Sequence, residues 1–385
     1  VWGCGDGRKG QLSLEYRQHE SITVFQKLNL NGVFYQPGLK GYTIKSIAAT
    51  WETSYLVLEK PESSDIIVSF GSNEFGDLGI ARDAEDRTLE KGPGLHVVDF
   101  STVSVAGNTI KSAKGVTVER LRTGQRHVIA SLKISWGDKE PTQVLIGWGS
   151  CRHGQLGDME NATKSSSRSH SSKKTPKAKK SIQPTYCSRP TLVWTSNDPS
   201  DFIVDYSLGI HHSVFLHASG RISVKGSNRK KQIQGLNSLE NIREVKCTWN
   251  GTYMLTVDDP PRILSTGSNT HGQLGRAEDS SALEVEGAPI TGRTVKALAC
   301  GSEHTLICLA GDGMGDEVWG WGWNEHGNLG IGNTDDSPTP QKIWPPASGP
   351  DNLGIHHIRS IWCGNGSSWI LCEVPDSGVG SSHDN

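Results

Sequence analysis

Long apolar runs are missing from this chain of 385 residues. No stretch approaches the ~18 apolar residues of a membrane span, so no membrane partner is expected. Bulky apolar residues are scarce, at 34%. No charged and apolar leader stands at Val1, as expected of a mature, truncated or partial chain, and any address at the start stays unread. The eight cysteines include no C-x-x-C pair, which argues for reduced thiols in a cytoplasmic or nuclear protein. H-E-x-x-H, Walker A and G-x-S-x-G sequences are all absent, so no metal, cofactor or catalytic residue is expected. A formal net charge of −2 gives no global field toward nucleic acid or an anionic surface. Helical periodicity is confined to Ser238–Val245.

What is present is glycine, 45 residues, about 12% against the usual ~7%. There is no G-X-Y period and only 17 prolines, which excludes collagen. The glycines recur instead in one element. It reads Gly3-Cys-Gly5…Gly10-Gln-Leu12, Gly71-Ser-Asn-Glu-Phe-Gly76-Asp-Leu78, Gly147-Trp-Gly149-Ser-Cys-Arg-His-Gly154-Gln-Leu156 and a worn Lys225-Gly226-Ser-Asn228. Clean copies follow at Gly267-Ser-Asn-Thr-His-Gly272-Gln-Leu274 and Gly322-Trp-Asn-Glu-His-Gly327-Asn-Leu329. From Gly5 to Gly322 the intervals are 66, 78, 77, 41 and 55 residues. The shortest fits one four-stranded unit, and the others require inserted loops.

A second element, Gly-x-x-His, alternates with the first at Gly124–His127, Gly209–His212 and Gly301–His304. Variants stand at Thr50–Thr53, Thr248–Gly251 and Gly364–Ser367. Between them lie short β-type runs such as Ile44–Ala49, Tyr55–Leu58, Val128–Leu132, Val144–Trp148, Leu306–Leu309 and Ile358–Trp362. Short strands in a long-period array predict an all-β fold, a β-propeller of four-stranded blades with six repeat units visible. It spans 1–373 as a single domain. Residues 161–184 are a basic, serine-rich insertion expected to be disordered, and 374–385 a flexible tail. The glycines are expected where inner strands crowd a neighbour and where turns need φ > 0.

The repeat also sorts the chemistry-bearing side chains. His127, His212 and His304 occupy equivalent positions, too far apart for one metal shell, and are expected to make structural hydrogen bonds. Cys247, Cys300 and Cys363, equivalent to one another, are expected to be small core residues. Trp319, Trp321 and Trp323 alternate, as along one face of a strand. Trp51 and Trp249 differ, because they take the first variable place of the Gly-x-x-His element where the glycine has become threonine and the histidine is lost. Either they anchor a partner at a loop mouth, or they fold onto their own blades. Glu52, Tyr253, Glu303, Asn324, Glu325 and His326 lie on comparable loops and complete the predicted partner-binding set.

This pair of elements resembles the repeat of the regulator-of-chromosome-condensation propeller family, over nearly the whole chain. The resemblance implies seven blades, and therefore one N-terminal repeat beyond the six seen. Within the family, Cys300-Gly-Ser-Glu-His304, Trp319–Asn328 and Ser368-Trp369-Ile-Leu371 are similar to the fungal alpha-tubulin suppressor branch. That likeness implies a noncatalytic scaffold in a heterodimer with a small CSL-type zinc protein. The partner serves diphthamide synthesis and Elongator-dependent modification of tRNA wobble uridines, so contact with Elongator or its tRNA substrate would be indirect.

Two alternatives come with the family: guanine nucleotide exchange on a Ran-like GTPase, and chromatin binding. Exchange needs a protruding wedge, for which Asp83–Glu90 is the acidic insertion to nominate. Direct DNA binding is not expected, because setting aside the seven basic residues of Thr163–Lys180 takes the formal charge from −2 to −9. That segment is a solvated loop, a nuclear address or an electrostatic tether.

Overall fold

Period-two alternation of β-branched and aromatic residues, cut every few residues by Gly, Asn, Asp or Pro, leaves the chain only short antiparallel strands to form. The computed structural model describes residues 2–6, 9–10, 21–27, 37–80, 95–137, 140–157, 185–195, 200–276, 283–285, 287, 289–290, 292–311, 315–345, 357–366 and 368–373. The basic segment 161–184, the acidic insertion Asp83–Glu90 and the tail 374–385 lie outside the described residues.

The chain divides into two compact units. The first holds Val1–Ile203 with Ile210–Ser213 and Lys225–Ser227; the second holds Val204–Gly209, Val214–Val224 and Asn228–Asn385. In chain order, β1 (Trp2–Asp6) pairs with β2 (Ser21–Lys27). β3 (Thr43–Ala49), β4 (Thr53–Glu59), β5 (Ile66–Gly71) and β6 (His96–Val97) form a four-stranded antiparallel sheet. A small hairpin, β7 (Ser104–Val105) with β8 (Asn108–Thr109), leads to a second such sheet. Its strands are β9 (Gly115–Thr123), β10 (His127–Ser135), β11 (Thr142–Ser150) and β12 (Tyr186–Thr195). Two three-stranded sheets follow: β13 (Ile203–Leu208), β14 (His212–His217) and β15 (Ile222–Gly226), then β16 (Ile242–Cys247), β17 (Gly251–Thr256) and β18 (Ile263–Gly267). β19 (Val295–Cys300), β20 (His304–Leu309), β21 (Glu317–Gly322) and β22 (Ser337–Trp344) make another four-stranded sheet, and β23 (His357–Cys363) pairs with β24 (Ser368–Glu373).

Each copy of the glycine element falls at the end of a strand: β1, β5, β11, β15, β18 and β21. The predicted strand runs all lie within observed strands. Ser238–Val245 does not form a helix. Leu236–Ser238 is a single 3-10 turn, and β16 begins at Ile242, because Ile242, Val245 and Cys247 are wanted on the buried side of a sheet. In the first unit Leu132, Ile134, Val144, Ile146 and Trp148 are wholly buried against Tyr55, Val57 and Ile67. In the second, Trp321 and Ile307 meet Tyr253, Leu255 and Ile263 in the same fashion. Each such aliphatic side chain contributes about 1.5–3 kcal/mol by leaving water.

The second glycine of the repeat has a more specific reason than crowding by a neighbouring strand. At Gly71 φ is +125°, and a Cβ there would stand 2.3 Å from the carbonyl oxygen of Glu52. At Gly267 φ is +132° and the same distance to the Asn250 oxygen is 2.3 Å. Both obstacles belong to the glycine's own sheet, where the strand end passes under the loop that opens the preceding strand. The residue after each glycine then donates its N–H to that carbonyl, Ser72 to Glu52 at 2.9 Å and Ser268 to Asn250 at 3.0 Å. The glycine element therefore clamps the loop that carries the second element.

Candidate partner-binding loops

The clamp recurs five times. Ser72, Ser150, Ser227, Ser268 and Trp323 donate to the carbonyls of Glu52, Arg126, His211, Asn250 and Glu303 at 2.7–3.0 Å. These five acceptors are the same repeat position, the residue before the inner strand begins. Their backbones are fixed, and their side chains are left to vary. One place earlier stand Trp51, Gln125, Ile210, Trp249 and Ser302. Successive loops are tied at that place: Trp51 N–H donates to Gln125 O at 2.9 Å, and Trp249 N–H to Ser302 O at 2.7 Å. Ser302 Oγ in turn donates to Asn365 O.

In the first unit Trp51 is 46% exposed at the loop tip. Beside it Glu52 forms an ion pair with Arg126 at 3.8 Å, and the Arg126 guanidinium lies 4.1 Å from the centre of the Phe75 ring. Beneath them Asp77 is 1% exposed, and its Oδ1 has no hydrogen-bond partner. Burial pushes its carboxyl up to about 8, against the pull of Arg126 and with the help of Glu52 and Glu74. A second pair of rings, His153 and His211, stands with centroids 4.0 Å apart.

In the second unit Trp249 is half-buried. Its neighbour Asn250 donates Nδ2–H to Glu303 Oε1 at 2.6 Å, and Gln273 Nε2–H donates to Glu303 Oε2 at 3.1 Å. Burial raises the Glu303 carboxyl, and these two donors oppose the rise. Trp323 packs edge-on to His326 with centroids 4.9 Å apart and donates Nε1–H to Glu325 at 3.3 Å; Glu325 and His326 are exposed. His271, its ring centroid 6.3 Å from that of Trp323, joins Asp336 at 2.8 Å.

The predicted set therefore divides. Trp51, Glu52 and Trp249 sit on the clamped loops, and Glu325 and His326 on an exposed turn. Tyr253 is corrected: it is wholly buried and donates its hydroxyl to Gln273 O at 2.6 Å. Tyr55 does the same to Asp77 O at 2.6 Å, and the two carbonyls are completed by Trp321 at 2.9 Å and Trp148 at 2.8 Å. Both lone pairs of each carbonyl are thus filled from the core. Asn324 is corrected likewise. It is fully buried; its Oδ1 accepts from Leu329 N–H at 2.8 Å, and its Nδ2 donates to Asn333 O and Asp335 O at 3.0 Å each. Glu303 is nearly buried at 9% exposure and reaches a partner only through its edge. Trp323 is not in the strand row with Trp319 and Trp321, since β21 ends at Gly322.

Of the structural histidines, His127 Nε2 is 3.2 Å from Ser213 Oγ, and His304 Nε2 is 3.1 Å from Ser368 Oγ. Burial lowers His127 to about 3, so it stays neutral. Cys247, Cys300 and Cys363 are free thiols packed into or against the cores, with burial holding Cys247 up at about 12. Sequence reasoning missed Trp362 and Trp369, which face each other across β23–β24 and are each 51% exposed. Alternation that sets Ile361 inward and Trp362 outward was the signal for them; a bulge between Ile358 and Ser360 keeps Ile358 inward as well. Among the described residues no group of three or more His, Cys, Asp and Glu side chains could hold a metal ion.

Antiparallel sheets of this strand order, five of them closed by the glycine clamp, are those of a β-propeller. Comparison with known proteins agrees. Two models described as the regulator of chromosome condensation (RCC1) repeat match residues 316–371 and 295–328. The secretion-regulating guanine nucleotide exchange factor of Mus musculus is 25% identical over 97% of this chain and 72% of its own length. The Bos taurus protein of the same name is 24% identical over 97% of this chain and 71% of its own length. Among solved structures, human WBSCR16 superposes with a TM-score of 0.64 at 16% identity, covering 97% of this chain and 82% of that one. Prp20p from Saccharomyces cerevisiae gives 0.53 at 17% identity, covering 97% and 92%.

Proposed function

We propose that this propeller acts by binding a protein partner on the loop that carries Trp51, and that the partner is a small CSL-type zinc protein. The observation that carries the binding role is Trp51. Its backbone N–H is tied to Gln125 O and the next carbonyl, Glu52 O, is clamped by Ser72, yet its ring is 46% exposed next to the Glu52–Arg126 pair. A pre-ordered aromatic beside a charged pair loses little entropy on docking and suits an interface anchor. The identity of the partner rests on the likeness of Cys300–His304, Trp319–Asn328 and Ser368–Leu371 to the alpha-tubulin suppressor branch. On that reading the protein tunes diphthamide synthesis and wobble-uridine modification through its partner. The test is a titration of the purified chain with a purified CSL-type zinc protein. A stable one-to-one complex is expected, and the absence of binding at micromolar concentrations refutes the partner.

A second reading is supported by the relatives. Two proteins named as guanine nucleotide exchange factors align with 97% of this chain. Exchange on a Ran-like GTPase would prise the nucleotide site open from the same loop. Release of a fluorescent guanine nucleotide, accelerated by catalytic amounts of the chain, decides for it; an unchanged release rate decides against it.

A further inference from the structure

One blade breaks the repeat at two places at once. The third residue of the glycine element is asparagine in four copies, and it does the same work in each. Asn73, Asn228, Asn269 and Asn324 accept, through Oδ1, the N–H five residues on at 3.1, 3.1, 3.0 and 2.8 Å. In the copy that ends β11 this residue is Cys151, and sulfur is a poor acceptor for that bond. The second departure lies across the ladder. Gly149 pairs with Cys187 in β12, as Gly322 pairs with Ser337 in β22. Cysteine thus replaces asparagine just past the end of β11 and serine in the paired strand β12.

The two sulfurs are 3.2 Å apart. Cys151 is buried and Cys187 partly open. The strands that carry them are already fixed: Cys151 N–H donates to Thr185 O at 3.1 Å, and Ser150 pairs with Tyr186. Little backbone movement separates this arrangement from a covalent bond. A bond from Cys151 to Cys187, 36 positions on, would also staple the two ends of the segment that holds the lysines of Thr163–Lys180. The other described thiols, Cys247, Cys300, Cys308 and Cys363, belong to the core clusters.

We infer that Cys151 and Cys187 are a reversible dithiol–disulfide site, oxidised by a peroxide. The hydrogen bond from the Cys151 thiol lowers Cys187 and raises Cys151, which makes the more open sulfur the nucleophile. The Cys187 thiolate attacks one peroxide oxygen; the S–O bond forms, the O–O bond breaks, and the leaving hydroxide takes a proton as water. Cys151 sulfur then attacks Cys187 Sγ. The S–S bond forms, the S–O bond breaks, and the second water carries away the Cys151 proton. Two thiols and one hydrogen peroxide become one disulfide and two waters, the two electrons passing from sulfur to oxygen. The loop at Gly76 lies against this pair, since a Cβ there would stand 3.0 Å from Cys187 O. Through that loop the bond reaches Phe75, the ring under Arg126.

The experiment uses the full chain, reduced, treated with hydrogen peroxide, blocked with an alkylating reagent and digested for mass spectrometry. A Cys151–Cys187 linked peptide, two hydrogens lighter than the sum of its parts, is expected to accumulate and to vanish with dithiothreitol. Cys151→Asn restores the residue the repeat uses elsewhere; it is expected to fold, to lose the link and to leave a Cys187 sulfenic acid that a dimedone probe captures. The two cysteines alkylated separately after oxidation overturn the inference. So does a link from either one to a core cysteine, or a link that dithiothreitol does not break.

Discussion

Replacing Asp77 by asparagine isolates the energy of one buried carboxyl. Asp77 stands where four other copies have glutamine, Gln11, Gln155, Gln232 and Gln273, and the last has Asn328. Those amides are neutral at any pH. The Asp77 carboxyl is 1% exposed, and its Oδ1 has no partner. Burial raises it from 3.8 to about 8 in the folded chain, with Glu52 and Glu74 adding to the rise and Arg126 opposing it. Between those two values the folded chain holds up to one proton more than the unfolded chain. Stability is therefore greatest at the acid end of this window and is lost as pH rises through it, levelling off above the folded pKa. The slope approaches about 1.4 kcal/mol per pH unit, so going from about pH 5 to about pH 7 removes roughly 3 kcal/mol. Asparagine has no proton to keep, so Asp77→Asn should match the wild type near the acid end and exceed it increasingly toward neutrality.

Urea unfolding followed by tryptophan fluorescence measures this directly. One of the twelve tryptophans that contribute to the signal, Trp148, donates its indole N–H to Asp77 O at 2.8 Å. The difference in unfolding free energy, variant minus wild type, should climb with pH and then flatten above about pH 8. Two curves that run parallel across the range would refute the reasoning, since they would mean that Arg126 and Glu52 rearrange to keep Asp77 ionised throughout.

The repeat supplies further expectations. Asn324→Ala removes an amide that satisfies three backbone groups and should cost about 2–3 kcal/mol by chemical denaturation. Tyr253→Phe should cost only about 1 kcal/mol, because Trp321 still donates to Gln273 O, and should leave partner affinity unchanged in a binding titration. Trp51→Ala is its opposite: a small change in stability, with affinity for the CSL-type partner reduced by about 2 kcal/mol, roughly 30-fold by calorimetry. Glu52→Ala releases Arg126 from its ion pair and should weaken the same complex by less than Trp51→Ala, since the pair is long at 3.8 Å and makes no hydrogen bond.

What could be read in advance follows from what a repeat averages. Short strands and the glycine at their ends recur from copy to copy, so both are legible in the sequence; the clamp that the glycine allows is not. The glycine at position 71 illustrates the limit: its necessity was legible, but the Glu52 oxygen that enforces it is brought near only by the fold. The errors at Tyr253 and Asn324 have a single cause. Both were placed on loops by their distance from a motif, although each has counterparts at the same repeat position, Tyr55 for one and Asn73, Asn228 and Asn269 for the other. A residue shared among copies serves what the copies share, which is packing. Function is to be sought where a copy departs from its siblings and the departure is not absorbed by the core. Trp51, exposed, passes that test; Trp249, half-buried, passes in part. Cys151 and Cys187 pass it together, and no count of cysteines or search for C-x-x-C could have joined them, because only the pairing of β11 with β12 brings thiols 36 positions apart to 3.2 Å.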